Sequence, residues 1–171
     1  KATEAIVDGK RTALLAMATG TGKTRTVLGL IYKMLESKRF RRILFLVDRV
    51  SLGEQAMDTF KDVKLKELLT LDKIYEIKAI DDNIINLETK VSISTVQGLL
   101  KRTILAEEPD LMPGAFDLII VDECHRSTFG DMLQDIRRSF PNALFFGFTG
   151  TPILDENQKK NSTTAMVFGR C

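Results

Sequence analysis

The sequence predicts an α/β domain in which a parallel β-sheet is covered by helices on both faces. Short apolar runs without alternation (TALLA, ILFLV, VSIS, LIIV and ALFF) have the character of strands buried on both sides. Segments of helical periodicity separate them, and alternating strands and helices give parallel sheets. Polar motifs follow three of the strands: GTGKT, DECH and TGTP. Open α/β sheets bind ligands at the carboxyl ends of their strands, so these motifs are expected to share one site.

In chain order, Ala2 to Val7 reads as a short helix ended by Gly9. Thr12 to Ala16 reads as a buried strand leading into a glycine-rich turn. From Lys23 to about Leu35, Val27, Leu28, Ile31 and Leu35 recur at helical spacing. Ile43 to Val47 is a continuous apolar strand, and Ser51 with Glu54 forms a capping box for a second helix. Lys61 to Asn86 is mixed and polar, with a short strand expected at Ile74 to Ile77. Strands follow at Val91 to Ser94, Leu118 to Val121 and Ala143 to Phe146, with a helix around Asp131 to Ser139 between the last two.

A length of 171 residues suits one domain with a substantial core. With 44% hydrophobic and 28% charged residues the composition is that of a globular chain rather than a disordered one. The net charge of +2 makes no bulk argument for nucleic acid, so any such surface has to be local. No apolar run approaches the ~20 residues that cross a bilayer, and KATEAIVDGKR lacks the apolar region of a signal peptide. Cys124 and Cys171 make no disulfide framework, and a reducing cytoplasm is the simplest compartment.

MATGTGKT, residues 17 to 24, departs from the general phosphate-loop pattern G-x-x-x-x-G-K-[ST], because Met17 stands where the first glycine is expected. The parts that touch phosphate are nevertheless present. Gly20 and Gly22 permit a tight curl that points backbone N–H groups inward. Lys23 would reach the β- and γ-phosphates of ATP, and the Thr24 hydroxyl would coordinate Mg²⁺. The helix starting at Lys23 adds the positive end of its dipole. The competing reading is a plain glycine turn.

LIIVDECHRS sets two adjacent carboxylates at a strand end. Asp122 can hold magnesium through a water, and Glu123 can orient or deprotonate an attacking water. A helix N-cap with a solvated neighbour is the alternative for that pair. His125, the single histidine, has no metal-ligand cluster in the sequence around it, and Cys124 reads as a small buried residue.

MATGTGKT, DECH and FTGTP, in this order, resemble motifs I, II and III of superfamily 2 helicases and translocases. FLVDRVSLGEQ resembles the motif Ia region and ISTVQGL the adjoining nucleic-acid-contact motif. DECHRS with GFTGTP is similar to the motor (R, or HsdR-type) subunits of type I restriction enzymes. The resemblance covers essentially all of residues 1 to 171 and implies a RecA-like P-loop NTPase domain, the first of two motor domains. It implies ATP and Mg²⁺ as cofactors, with Thr19, Gly20, Thr21, Gly22, Lys23 and Thr24 at the phosphates. Asp122 would hold the metal and Glu123, with Lys23, would be catalytic. His125 would couple the nucleotide to Thr149 and Thr151. Arg49, Ser94, Thr95 and Gln97 fall in the DNA-contact motifs, and their chemistry suits phosphate-backbone binding. For Arg49 the alternative is a salt bridge to Asp48; for Ser94 and Thr95 it is helix capping.

The resemblance further implies ATP-dependent translocation of double-stranded DNA in a prokaryotic cytoplasm, before DNA cleavage. The implied partners are methyltransferase and specificity subunits and a second RecA-like domain, with no membrane. That second domain with its arginine fingers, the adenine-reading glutamine motif and the nuclease domain are expected outside residues 1 to 171. A D…E-x-K nuclease core over Asp81 or Asp82 and Glu88 to Lys90 is the weaker account of the polar insert. KRFRR, Lys38 to Arg42, reads as a solvated helix end rather than a DNA patch. Other classes that bind the same loop are a small P-loop kinase and a non-hydrolysing nucleotide scaffold. Within the helicase class an RNA-directed enzyme is the alternative.

Overall fold

A computed structural model describes residues 11–17, 21–64, 75–79, 89–103, 105, 111–122 and 130–150. The helix expected at Ala2 to Val7, both cysteines and the acids of the alternative nuclease core lie outside these residues. Six strands form one sheet: β1 (Thr12–Ala16), β2 (Ile43–Val47), β3 (Ile77–Ala79), β4 (Val91–Thr95), β5 (Leu118–Val121) and β6 (Leu144–Thr149). Their spatial order is β1-β6-β5-β2-β4-β3, and every pairing is parallel. Four helices are described: α1 (Lys23–Glu36), α2 (Val50–Asp62), α3 (Val96–Thr103) and α4 (Gly130–Ser139).

The apolar runs lack alternation because both faces of the sheet are covered. In β2, Ile43, Phe45 and Val47 enter one core with Val27, Leu28 and Ile31 of α1 and Phe60 of α2. Leu44 and Leu46 enter the other, with Val96 and Leu99 of α3 and Leu133 and Ile136 of α4. Strands β5 and β6 divide their side chains in the same way. Each fully buried side chain of this size contributes roughly 1.5–3 kcal/mol by leaving water. The Phe45 and Phe60 rings, 6.0 Å apart, tie the central strand to α2.

Several boundaries differ from those the sequence suggests. Strand β1 lies at the sheet edge and its residues are half-buried or exposed rather than fully buried, since only β6 flanks it. The short strand forms at Ile77–Ala79 rather than at Ile74 to Ile77. Helix α2 starts at Val50, and its N-cap is Arg49 in extended conformation with no side-chain cap. The Arg49 carbonyl accepts from the N–H groups of Leu52 and Gly53, so Ser51 lies inside the first turn and the capping box does not form. Helix α3 follows β4 directly, because the Thr95 hydroxyl accepts the Gly98 N–H at 3.0 Å. Strand β6 runs to Thr149, three residues past the expected end at Phe146.

Candidate nucleotide and nucleic-acid edge

The carboxyl ends of the parallel strands gather the motifs along one edge. Register places Ala16 of β1 beside Thr149 of β6, and Val47 of β2 beside Thr95 of β4. Backbone bonds extend this order past the strand ends: the Met17 N–H donates to Thr149 O at 2.8 Å, and the Asp122 N–H to Leu46 O at 2.9 Å. Motif I is thereby stitched to motif III, and motif II to the strand that carries motif Ia.

Gly22 is the N-cap of α1, with φ 81° and ψ 32°. This left-handed conformation costs an L-residue about 1–2 kcal/mol, so glycine is favoured here for its backbone alone. Its carbonyl accepts the Thr26 N–H at 3.0 Å and starts the helix. The first turn of α1 carries no acid. Lys23 and Arg25 stand there instead, a poor choice for a helix dipole and a good one for holding an anion. The Lys23 ammonium reaches the Asp122 carboxylate at 3.5 Å, and both side chains are largely buried. Thr24, next to Lys23 in sequence, is half-buried, and Thr21 is exposed.

These residues fit a magnesium–triphosphate group. Apart from its chain neighbours, no described residue comes within 4 Å of where a side chain on Gly22 would begin. The Lys23 ammonium and the Asp122 carboxylate meet in space and the Thr24 hydroxyl follows Lys23 in sequence, which together make the donor set such a group needs. Among the described residues no cluster of three His, Cys, Asp or Glu could bind a metal unaided. Lys23, Thr24 and Asp122 are the described residues that would hold the group. Thr19, Gly20, Glu123, His125 and Thr151 lie outside the described residues, whereas Thr149 is fully buried at the end of β6.

The four candidates for DNA contact lie on the neighbouring half of the same edge, at the ends of β2 and β4. Arg49 is exposed and pairs with Asp48 at 3.6 Å, the alternative its neighbour suggested. Gln97 is exposed on the first turn of α3. Ser94 is buried and its hydroxyl donates to Thr95 O, while Thr95 caps α3. Nucleotide candidates therefore occupy β1, β6 and β5, and nucleic-acid candidates occupy β2 and β4. The halves meet where Asp122 bonds Leu46.

A parallel sheet with a glycine-capped helix, a lysine and a strand-end aspartate defines a RecA-like P-loop domain. The family described as "Type III restriction enzyme, res subunit" matches residues 1–154, and the chain belongs to that ResIII family. The chain is 48% identical over 132 residues to the EcoKI type I restriction enzyme endonuclease subunit of Escherichia coli K12, covering 77% of this chain and 11% of that protein. It is 35% identical over 155 residues to the SsaAORF53P type I endonuclease subunit of Staphylococcus saprophyticus, covering 90% and 16%. It therefore spans less than a fifth of these relatives' length. Among solved structures, the UvsW helicase of bacteriophage T4 matches with a TM-score of 0.62 at 24% identity, over 82% of this chain and 47% of that one. The SWI2/SNF2 ATPase core of Sulfolobus solfataricus matches at 0.63 and 18%, over 86% and 29%. At these identities the two structures establish the fold. No described helix is long and apolar enough to cross a membrane.

Proposed function

We propose that residues 1–171 are the first RecA-like motor domain of a type I restriction enzyme endonuclease subunit. In this reading, ATP hydrolysis drives translocation along double-stranded DNA before cleavage. The observation that carries it is the approach of Lys23 to Asp122 at 3.5 Å, at the strand ends that adjoin the DNA-contact candidates.

Each residue then has a defined task. Gly20 and Gly22 would permit a curl that presents backbone N–H groups to phosphate oxygens, and Lys23 would bind the terminal phosphates. Thr24 and Asp122 would hold Mg²⁺, which when bound would supply charge neutralisation for phosphoryl transfer. Glu123 orients the attacking water and accepts its proton. Thr149, joined to motif I through the Met17 N–H, would feel a change at the phosphate loop, and His125 and Thr151 would share that coupling. Arg49 and Gln97 are exposed for backbone phosphates, which suits movement independent of sequence.

A second RecA-like domain would supply arginine fingers, worth about 10³–10⁵ in rate, so the isolated fragment is expected to bind Mg-ATP weakly and turn it over very slowly. Methyltransferase and specificity subunits would complete the assembly in a prokaryotic cytoplasm. Triplex displacement by the full-length protein and its Glu123→Gln variant tests the reading. The motor reading requires displacement by the parent and none by the variant. Equal ATP turnover in both proteins would instead indicate a nucleotide-binding scaffold.

A further inference from the structure

The end of the sheet opposite the nucleotide edge carries a rigid cationic loop. Residues preceding each strand are laced together there: Leu144 N–H to Asp117 O, Asp117 N–H to Arg42 O and Ile43 N–H to Lys90 O, each at 2.9 Å. The loop from Lys38 to Arg42 joins α1 to β2 at this end. Phe40 is buried as its anchor, while Lys38, Arg39 and Arg41 are exposed. One carboxylate oxygen of Asp117 accepts the N–H groups of both Arg41 and Arg42, at 2.7 and 3.0 Å. The Arg42 guanidinium donates to Gly114 O at 3.0 Å and fixes the turn that carries Met112, which is 77% exposed.

A solvated helix end would need neither the Phe40 anchor nor the double clamp by Asp117. Both lower the entropy lost when the loop is held against a partner. We infer that this end of the domain is a docking surface for a carboxylate-bearing protein surface with an apolar contact, on another domain of the full-length chain. Exposed arginines on a loop that Arg42 ties to the turn of exposed Met112 have the composition of protein interfaces, whereas nucleic-acid surfaces are more polar. The candidate DNA contacts lie at the opposite ends of the strands. The relatives' greater length supplies neighbours for this domain, as it covers only 11% and 16% of them. The inference is independent of nucleotide chemistry, since none of these residues approaches the Lys23–Asp122 edge in the fold.

The test is site-specific photo-crosslinking in the full-length chain, with p-benzoylphenylalanine placed at position 39, at Met112 and, as an exposed control on α2, at Lys61. The first two positions should crosslink to an acidic peptide outside residues 1–171, well above the control. Adding Arg39→Glu and Arg41→Glu should reduce the yield from position 112 about tenfold, as charge opposition at an interface does. Fluorescent-ATP binding should stay within about twofold, about 0.4 kcal/mol against the 1.4 kcal/mol of a tenfold effect. Arg39→Gln with Arg41→Gln gives a milder pair should the reversal unfold the chain. Crosslinks to DNA, to the acidic segment 106–110 of the same domain, or only at the control level would each overturn the inference.

Discussion

The Lys23 ammonium and the Asp122 carboxylate lie 3.5 Å apart, between the amino end of α1 and the carboxyl end of β5. Without nucleotide, each neutralises the other in a partly desolvated place. In the proposed reading a magnesium–triphosphate would satisfy both at once, phosphate on the lysine and metal on the aspartate. Free triphosphate would satisfy only the lysine, and the carboxylate would then repel it.

That asymmetry gives a sharp expectation for Asp122→Asn. Its affinity for Mg-ATP should fall about tenfold or more, a loss near 1.4 kcal/mol. Its affinity for ATP in excess EDTA should hold or rise, because a competing negative charge has gone. Lys23→Met should lose both. Titration of a fluorescent ATP analogue, with and without Mg²⁺, separates the three proteins. A parallel fall of Asp122→Asn under both conditions would sink this account of the pair.

Two glycines of α1 should respond to the same substitution in opposite directions. Gly22, at φ 81°, has room for a side chain but the wrong backbone for one, so Gly22→Ala should cost about 1–2 kcal/mol. Gly29, inside the helix with nothing within 4 Å of an added Cβ, should gain about 0.5–1 kcal/mol as alanine. Urea melts of the two variants check the signs. Destabilisation by Gly29→Ala would show that the helix tolerates less than its open surface suggests.

Phe45 sits at the centre of β2, nearly solvent-free, with the Phe60 ring 6.0 Å away. Phe45→Ala removes a ring between the sheet and α2 and should cost about 3–5 kcal/mol. Phe45→Leu should lose much less, since a neighbouring rotamer refills most of the volume. The ordering of the two midpoints in denaturant is the measurement, and equal midpoints would mean the site is not packed as described.

What the sequence made legible follows from which signals are local. The strand at Ile43 to Val47 was readable because five apolar residues in a row have few other homes, and Gly22-Lys23-Thr24 because glycine and lysine there have a specific chemistry. The half-exposure of β1 was not readable, since an edge position depends on the order of strands and not on TALLA itself. The capping box failed for a similar reason: Ser51 and Glu54 have the right spacing, yet the Arg49 carbonyl begins the helix two residues earlier. Ser94 suits phosphate by type, and only the packing of β4 between β2 and β3 shows its hydroxyl turned to the neighbouring carbonyl.

Met17 is the residue at which the general phosphate-loop pattern fails, and the structure explains why glycine is not needed there. Its φ is not positive, in contrast to Gly22 and Lys38. Its half-buried side chain packs against the core beneath α1, and its N–H bonds Thr149 O at 2.8 Å. Restoring the general pattern with Met17→Gly should therefore weaken the protein. Lost packing at a half-buried site and added backbone freedom together amount to roughly 2 kcal/mol. The phosphate-contacting residues remain, so ATP affinity per folded molecule should change by no more than about threefold, under 0.7 kcal/mol. Paired denaturation and fluorescent-ATP titrations decide it. Tighter nucleotide binding with unchanged stability would mean that methionine is a compromise at the loop, not a strut beneath it.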